Sequence, residues 1–221
     1  MIELYHIWKQ YQRPNWALSD VTLHVKKGEF YFITGPSGSG KTTLLKTIFR
    51  EIFPTQGQII IDGRNTLRIP DHKIYKLRRI MGIVFQDFRL NFHRKVFDNV
   101  GIVLQVLGMS RKDIRRKVFN ALRMVNLHNK IWDYPSHLSY GEQQRVAIAR
   151  AVVNNPNIIL ADEPTGNLDP ELAFEIMSLF KAINKQGATI IVATHDRELI
   201  RHFGYKILFL QKGKLIGKEG L

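Results

Sequence analysis

Eight consecutive residues, Gly35-Pro36-Ser37-Gly38-Ser39-Gly40-Lys41-Thr42, fit the spacing G-x-x-x-x-G-K-[ST]. Glycines let a backbone curl until successive N–H groups converge on phosphate oxygens. A helix beginning at the end of such a turn adds partial positive charge. Lys41 would then reach the β- and γ-phosphates of a nucleotide, and the Thr42 hydroxyl would ligate Mg²⁺, with Thr43 continuing the cradle. A second chemical signal is the pair Asp162-Glu163, which ends the apolar run Ile158-Ile159-Leu160-Ala161. Two acids at the edge of a buried strand are costly unless a cation compensates. The Mg²⁺ that accompanies a nucleotide would do so at Asp162, leaving Glu163 to face the γ-phosphate and activate water.

These groups need a scaffold that brings strand ends together. Phe30 to Thr34 is a short apolar run that stops at the glycine-rich turn, and Leu44, Leu45, Ile48 and Phe49 follow at helical spacing. Gln58–Ile61, Ile80–Phe85, Ile158–Ala161, Thr189–Ala193 and Ile207–Leu210 read as further strands, with a hairpin about Lys212-Gly213. Near the N-terminus, Ile2, Leu4, His6 and Trp8 alternate with Glu3, Tyr5 and Ile7, and Val21, Leu23 and Val25 alternate with Thr22 and His24. These are two half-buried strands joined by a turn at residues 12–15. Helical spacing returns at Ile114, Val118, Leu122 and Val125, and at Leu172, Ile176, Leu179, Phe180 and Ile183. Strands alternating with helices predict an α/β fold with a mostly parallel sheet covered on both faces. Residues 87–150 contain no convincing strand and read as a helical subdomain inserted between two parts of a core, 1–86 and 151–221.

Composition excludes several classes. The 221 residues are 44% hydrophobic and 24% charged, an ordinary globular balance. There is no cysteine, so disulfides, thiolate metal sites and a cysteine nucleophile are out, which suits a reducing compartment. No secretory signal is expected from the N-terminus, and no run approaches the ~20 apolar residues that span a bilayer. The formal charge of +14 favours anionic partners without choosing among them. Residues 108–130 carry seven Lys/Arg against one acid, Asp113. That run reads as a solvated helix face, with a patch for acidic lipid or nucleic acid as the alternative.

Leu138-Ser139-Tyr140-Gly141-Glu142-Gln143-Gln144 supplies a second signature. It resembles the Leu-Ser-Gly-Gly-Gln motif of the ABC ATPase cassettes. With the cradle, Asp162-Glu163 and His195 after a strand, essentially the whole chain is similar to such a cassette. The resemblance implies a P-loop NTPase fold with an N-terminal antiparallel β subdomain, and it implies roles. Tyr11 would stack on adenine, and Gln86 would sense Mg²⁺ and the attacking water. Asn167-Leu168-Asp169 would form the D-loop, and His195 would contact the γ-phosphate. Glu163 would be the general base, with Thr42, Gln86 and Asp162 around the Mg²⁺. Ser139, Gly141, Glu142 and Asp169 would meet the nucleotide of a second copy, so that a homodimer sandwiches two ATP molecules. Tyr140 stands where the family has its first signature glycine, so its ring must turn away from the phosphate or leave a looser contact.

Ala161 to Asp169 and Phe85-Gln86-Asp87-Phe88-Arg89-Leu90 are most similar to the branch of that family serving cell division, lipoprotein release and MacB-type efflux, and above all to its cell-division members. That implies a peripheral ATPase on the cytoplasmic face of the bacterial inner membrane, at the division site. Its partner would be an FtsX-like integral membrane subunit that passes conformational change to cell-wall hydrolases, with other division proteins nearby. A lipoprotein-release or efflux ATPase is the alternative. A soluble nucleic-acid-linked cassette fits the length less well, and no specific nucleic acid is expected. The surface gripping the membrane subunit should include Phe88, Leu90, Phe92, Val96, Phe97 and Val100.

Overall fold

The computed structural model describes residues 1–12 and 14–219. Arg13, within the expected 12–15 turn, and the last two residues lie outside them. In chain order the elements are β1 (Ile2–Gln10), β2 (Trp16–Val25), β3 (Phe30–Thr34), α1 (Lys41–Ile48), β4 (Gln56–Ile61), β5 (Arg64–Asn65), α2 (Tyr75–Arg78), β6 (Met81–Val84), α3 (Val96–Val106), α4 (Arg111–Met124), α5 (Tyr140–Val152), β7 (Ile158–Asp162), α6 (Pro170–Lys185), β8 (Thr189–Ala193), α7 (Arg197–Phe203), β9 (Lys206–Gln211) and β10 (Lys214–Glu219).

Two sheets form. An antiparallel sheet has the order β2-β1-β4-β5, and a six-stranded sheet has the order β10-β9-β3-β8-β7-β6. In the larger sheet every pairing is parallel except β9 with the edge strand β10. Its strands read as continuous apolar runs because both faces are covered. Phe30 and Phe32 of β3 pack in one core with the helices α3 to α6, while Tyr31 and Ile33, their alternates, pack in a second core with α1 and the antiparallel sheet. The same alternation sends Ile159 and Ala161 of β7 to the first core and Ile158 and Leu160 to the second. The register aligns the strand ends that matter. Ile33 lies opposite Ala193, Ala193 opposite Asp162, and Ala161 opposite Val84. The loops after β3, β6, β7 and β8 therefore leave from one edge, the carboxyl edge where open α/β sheets take ligands.

The alternation expected along β1 fails midway. Ile2 and Leu4 are buried, but His6 is exposed and Ile7 is buried. His6 has φ +50°, and the pairing with both β2 and β4 slips at this point. The extra residue is a β-bulge, which reverses the facing of the residue directly after it. Ile7 thereby enters the core, and the His6 ring meets Asp20 instead, Nδ1 to Oδ1 2.7 Å.

The segment between β6 and β7 is built from α3, α4 and α5. Ser110 caps α4 by accepting from the Asp113 amide, and Ile114, Val118, Ala121 and Leu122 turn inward. Arg111, Lys112, Arg115, Arg116 and Arg123 are exposed, so the basic run is a solvated helix face with Arg116 paired to Asp113. The expected gripping surface is not there as drawn. Phe88, Leu90, Val96 and Val100 are buried in the first core. Phe97 is partly buried and stacks on Trp132, and Phe92 alone of the six is exposed. Apolar residues in a connecting segment here serve the packing of α3 against α5.

Candidate active site

The loop from Gly35 to Gly40 leaves β3 and enters α1. Gly35 has φ +150° and Gly40 φ +107°, and any Cβ on them would collide with backbone, at 1.9 Å from the Leu210 oxygen and 2.5 Å from that of Ala17. Only glycine lets the loop pass this close to its neighbours while it curls. Lys41, the first residue of α1, is buried, and its Nζ donates to the carbonyl oxygens of Gly35 at 2.9 Å and Pro36 at 3.3 Å. The Ser39 hydroxyl is buried without a partner among the described residues. The result is a cleft of about 610 Å³ whose lining includes residues 35–43, Gln86, Glu163, Asn167 and His195. Tyr11 is largely exposed at the side of the cradle, its hydroxyl 3.5 Å from that of Thr43 and the Lys9 ammonium over its ring.

Asp162 ends β7, and Glu163 follows with φ +46°, a left-handed conformation that a glutamate seldom adopts. It is held there because its amide donates to the Ala193 oxygen at 2.9 Å. The turn brings both Glu163 carboxylate oxygens to 3.0 Å from His195 Nδ1, and one of them to 3.9 Å from Lys41 Nζ. His195 is positioned from both sides: the Thr194 amide donates to the Ile33 oxygen, and Asp196 caps α7 by accepting from the amides of Glu198 and Leu199. The Glu163 side chain is 11% exposed and that of His195 70%, so the carboxylate is sheltered and the imidazole faces outward.

Whether these groups suit a magnesium ion can be tested on Asp162. Its Oδ1 is buried with no hydrogen-bond partner among the described residues, and burial pushes its carboxyl pKa up, with Thr42 beside it opposing and the neighbouring Glu163 carboxylate reinforcing. A sheltered, unsatisfied carboxylate next to a hydroxyl is what a hard cation takes as ligands. No group of three or more His, Cys, Asp or Glu among the described residues gathers to hold a metal. Mg²⁺ relies on one or two protein oxygens together with phosphate and water.

Ser139, Gly141, Glu142 and Asp169 are not part of this cleft. Ser139 caps α5 in a reciprocal box with Glu142, each accepting from the other's amide. Glu142 is further paired to Lys130 at 2.6 Å, and that ammonium, ahead of the Ser139 contacts, lowers its pKa. Asp169 caps α6 by accepting from the Leu172 amide. The structure thus gathers one set of predicted site residues and leaves the other set elsewhere on the same molecule. Among the lining residues, Ala17 and Gly166 were not foreseen as site residues; nothing in their types marks them, and only the fold brings them there.

None of residues 88–100 lines the apolar groove that the described residues do form. A groove of about 450 Å³ is lined by Tyr75, Phe85, Ile102 and Val106, with Arg79 and Arg150 among its polar residues. Val106 is 78% exposed.

The family model described as "ABC transporter" matches residues 18–166. The chain belongs to the ABC transporter family. As an ABC ATPase it is 47% identical over 220 residues to the cell division ATP-binding protein FtsE of Escherichia coli, covering all of this chain and 99% of that one. It is 44% identical over 222 residues to the protein of the same name from Mycobacterium tuberculosis, covering 99% and 96%. Among solved structures it is similar to the dimeric bacterial ABC transporter cassette MJ0796, at 41% identity and TM-score 0.93 over 100% and 99% of the two chains. The same cassette in a dimeric post-hydrolysis state bound to ADP and Pi aligns at 40% identity with the same TM-score and coverage.

Proposed function

We propose that this chain is the ATP-hydrolysing subunit of an FtsE-type complex, acting in cell division with an FtsX-like integral membrane subunit at the cytoplasmic face of the inner membrane. The observation that carries the catalytic part is the convergence of the glycine cradle, Lys41, Glu163 and His195 on one cleft, with Ser139 outside it. The relatives named FtsE support the cellular role, and the dimeric cassettes support assembly as a pair.

The reaction is ATP plus water to ADP and phosphate. Phosphoryl transfer leaves the protein chiefly the tasks of positioning and charge stabilisation. Lys41 and the loop amides take up phosphate charge. Thr42, Asp162 and Gln86 would hold Mg²⁺, which supplies Lewis-acid stabilisation of the phosphate oxygens when bound. Glu163 accepts a proton from water, and His195, 3.0 Å away, orients that carboxylate and faces the γ-phosphate. The Ser139 hydroxyl and the amides of Tyr140 and Gly141 at the start of α5 serve the nucleotide of the partner copy. ATP therefore closes the dimer and hydrolysis reopens it, a ligand biasing two states by contacts made in only one.

The groove lined by Tyr75, Phe85, Ile102 and Val106 is where the membrane subunit would grip, its apolar floor suiting an amphipathic segment. Two experiments test the reading. Glu163→Gln should retain ATP binding and lower turnover by about 10²–10⁴, the usual worth of a general base; parent-like turnover removes Glu163 from that role. Affinity purification from native membranes, followed by mass spectrometry, should recover an FtsX-like protein with the parent chain and lose it with Val106→Glu. Recovery of a lipoprotein-release or efflux permease instead would refute the division role.

A further inference from the structure

Tyr140 opens α5 directly after Ser139, and its side chain is engaged twice within its own chain. Its hydroxyl oxygen accepts from Asn167 Nδ2 at 2.7 Å. Its ring lies 4.5 Å from that of Phe88, centroid to centroid, at an angle of 59°. Phe88 belongs to the loop after Gln86, has φ +56°, and has its carbonyl oxygen held by the Arg150 guanidinium. Asn167 lines the phosphate cleft and stands two residues before Asp169, the cap of α6. One side chain at the start of α5 thus touches both the loop after β6 and a wall of the cleft. A glycine at this position would make neither contact. Because the amides of Ser139 and Glu142 are taken by their reciprocal box, those of Tyr140 and Gly141 are left as donors with no acceptor inside the helix.

We propose that Tyr140 is a positioning residue for hydrolysis: through its hydroxyl it fixes Asn167, and with it the loop of residues 166–169, against the N-terminus of α5. The proposal rests on the ATPase reading above. Asn167 is otherwise exposed, and the loop follows the strained Glu163, so without the Tyr140 acceptor the amide turns to water and the wall gains alternative positions. A site whose wall is correctly placed only part of the time turns over more slowly. Nucleotide affinity, which comes from the cradle and Lys41, is left as it was.

The test uses the full chain. Tyr140→Phe keeps the packing on Phe88 and removes only the acceptor; Tyr140→Gly removes both. Two readouts are taken: steady-state ATP hydrolysis, and hydrogen–deuterium exchange of the peptide spanning 163–169. With Tyr140→Phe, kcat should fall about three- to ten-fold, the weight of one net hydrogen bond, with KM within about two-fold. Exchange over 163–169 should quicken while that of α4 stays unchanged. Asn167→Ala should cost less in the Tyr140→Phe background than in the parent, because the Tyr140 contact is then already gone. Parent-like kcat and exchange in Tyr140→Phe, a rise in kcat, or full additivity with Asn167→Ala would each overturn the proposal. A parent chain that releases no phosphate even with its membrane subunit would refute the ATPase reading instead, and the exchange arm would still decide whether Tyr140 orders the loop.

Discussion

Replacing Lys41 by methionine keeps most of the side-chain stem and removes the charge. Lys41 is already engaged within its own chain: it is buried, gives two hydrogen bonds to the loop carbonyls and lies 3.9 Å from Glu163. A unit-charge pair at that distance is worth about 4 kcal/mol at an effective dielectric constant near 20. Turning toward phosphate means weakening the bonds to Gly35 and Pro36, so only part of this appears as affinity. A net loss of about 2–3 kcal/mol corresponds to roughly 30- to 150-fold in Kd. Calorimetric titration of magnesium with a non-hydrolysable ATP analogue into parent and Lys41→Met protein measures it directly. ADP, which lacks the γ-phosphate, should show a smaller difference between the two proteins. If the analogue bound Lys41→Met within about three-fold of the parent, the charge would not be acting on the phosphates and the reading of the cleft would fail.

Burial raises the Asp162 pKa, so the fold favours the protonated acid; the associated stability is present at low pH and lost as pH rises through the raised value. Asp162→Asn should therefore melt higher than the nucleotide-free parent at pH 8, with the gain shrinking as pH is lowered. Added Mg²⁺ and ATP should stabilise the parent more than the variant. Melting curves across that range check both, and a gain independent of pH would count against a buried, destabilising carboxylate. Gly82→Ala tests the packing of β6 on α5. Its Cβ would lie 2.3 Å from the Ala151 oxygen, a backbone atom that moves only if strand and helix separate. The expected cost is about 1–3 kcal/mol, or roughly 3–10 °C in Tm for a domain of this size. A calorimetric Tm unchanged by the substitution would show that the two elements have slack.

The cradle was legible because its chemistry fixes residue types along a short stretch: backbone curvature demands glycine, and the lysine and threonine follow at once. The strand ending in Asp162-Glu163 was legible for the opposite reason, because acids after a buried apolar run need an explanation. What sequence could not reveal depended on partners distant in the chain. The bulge at His6 reverses the facing of the next residue in β1, yet His6 and Ile7 are both acceptable in a strand and only the pairing with β2 and β4 decides. Phe88, Leu90, Val96 and Val100 looked like a docking surface because nothing local shows that α5 covers them. The groove that remains exposed is assembled from α2, β6 and α3, and α2 is too short to announce itself. The aromatic ring in the signature was visible as a departure, but its two contacts, Phe88 and Asn167, come from opposite sides of the helical segment.

In the proposed dimer each copy lends its Ser139 loop to nucleotide held by the other. Sedimentation of Glu163→Gln protein saturated with magnesium and ATP measures this most directly, repeated with Ser139→Glu added. Twice the monomer mass in the first case, and monomers that still bind ATP in the second, are the predicted results. Monomers throughout, even with the membrane subunit present, or a dimer indifferent to Ser139→Glu, would contradict it.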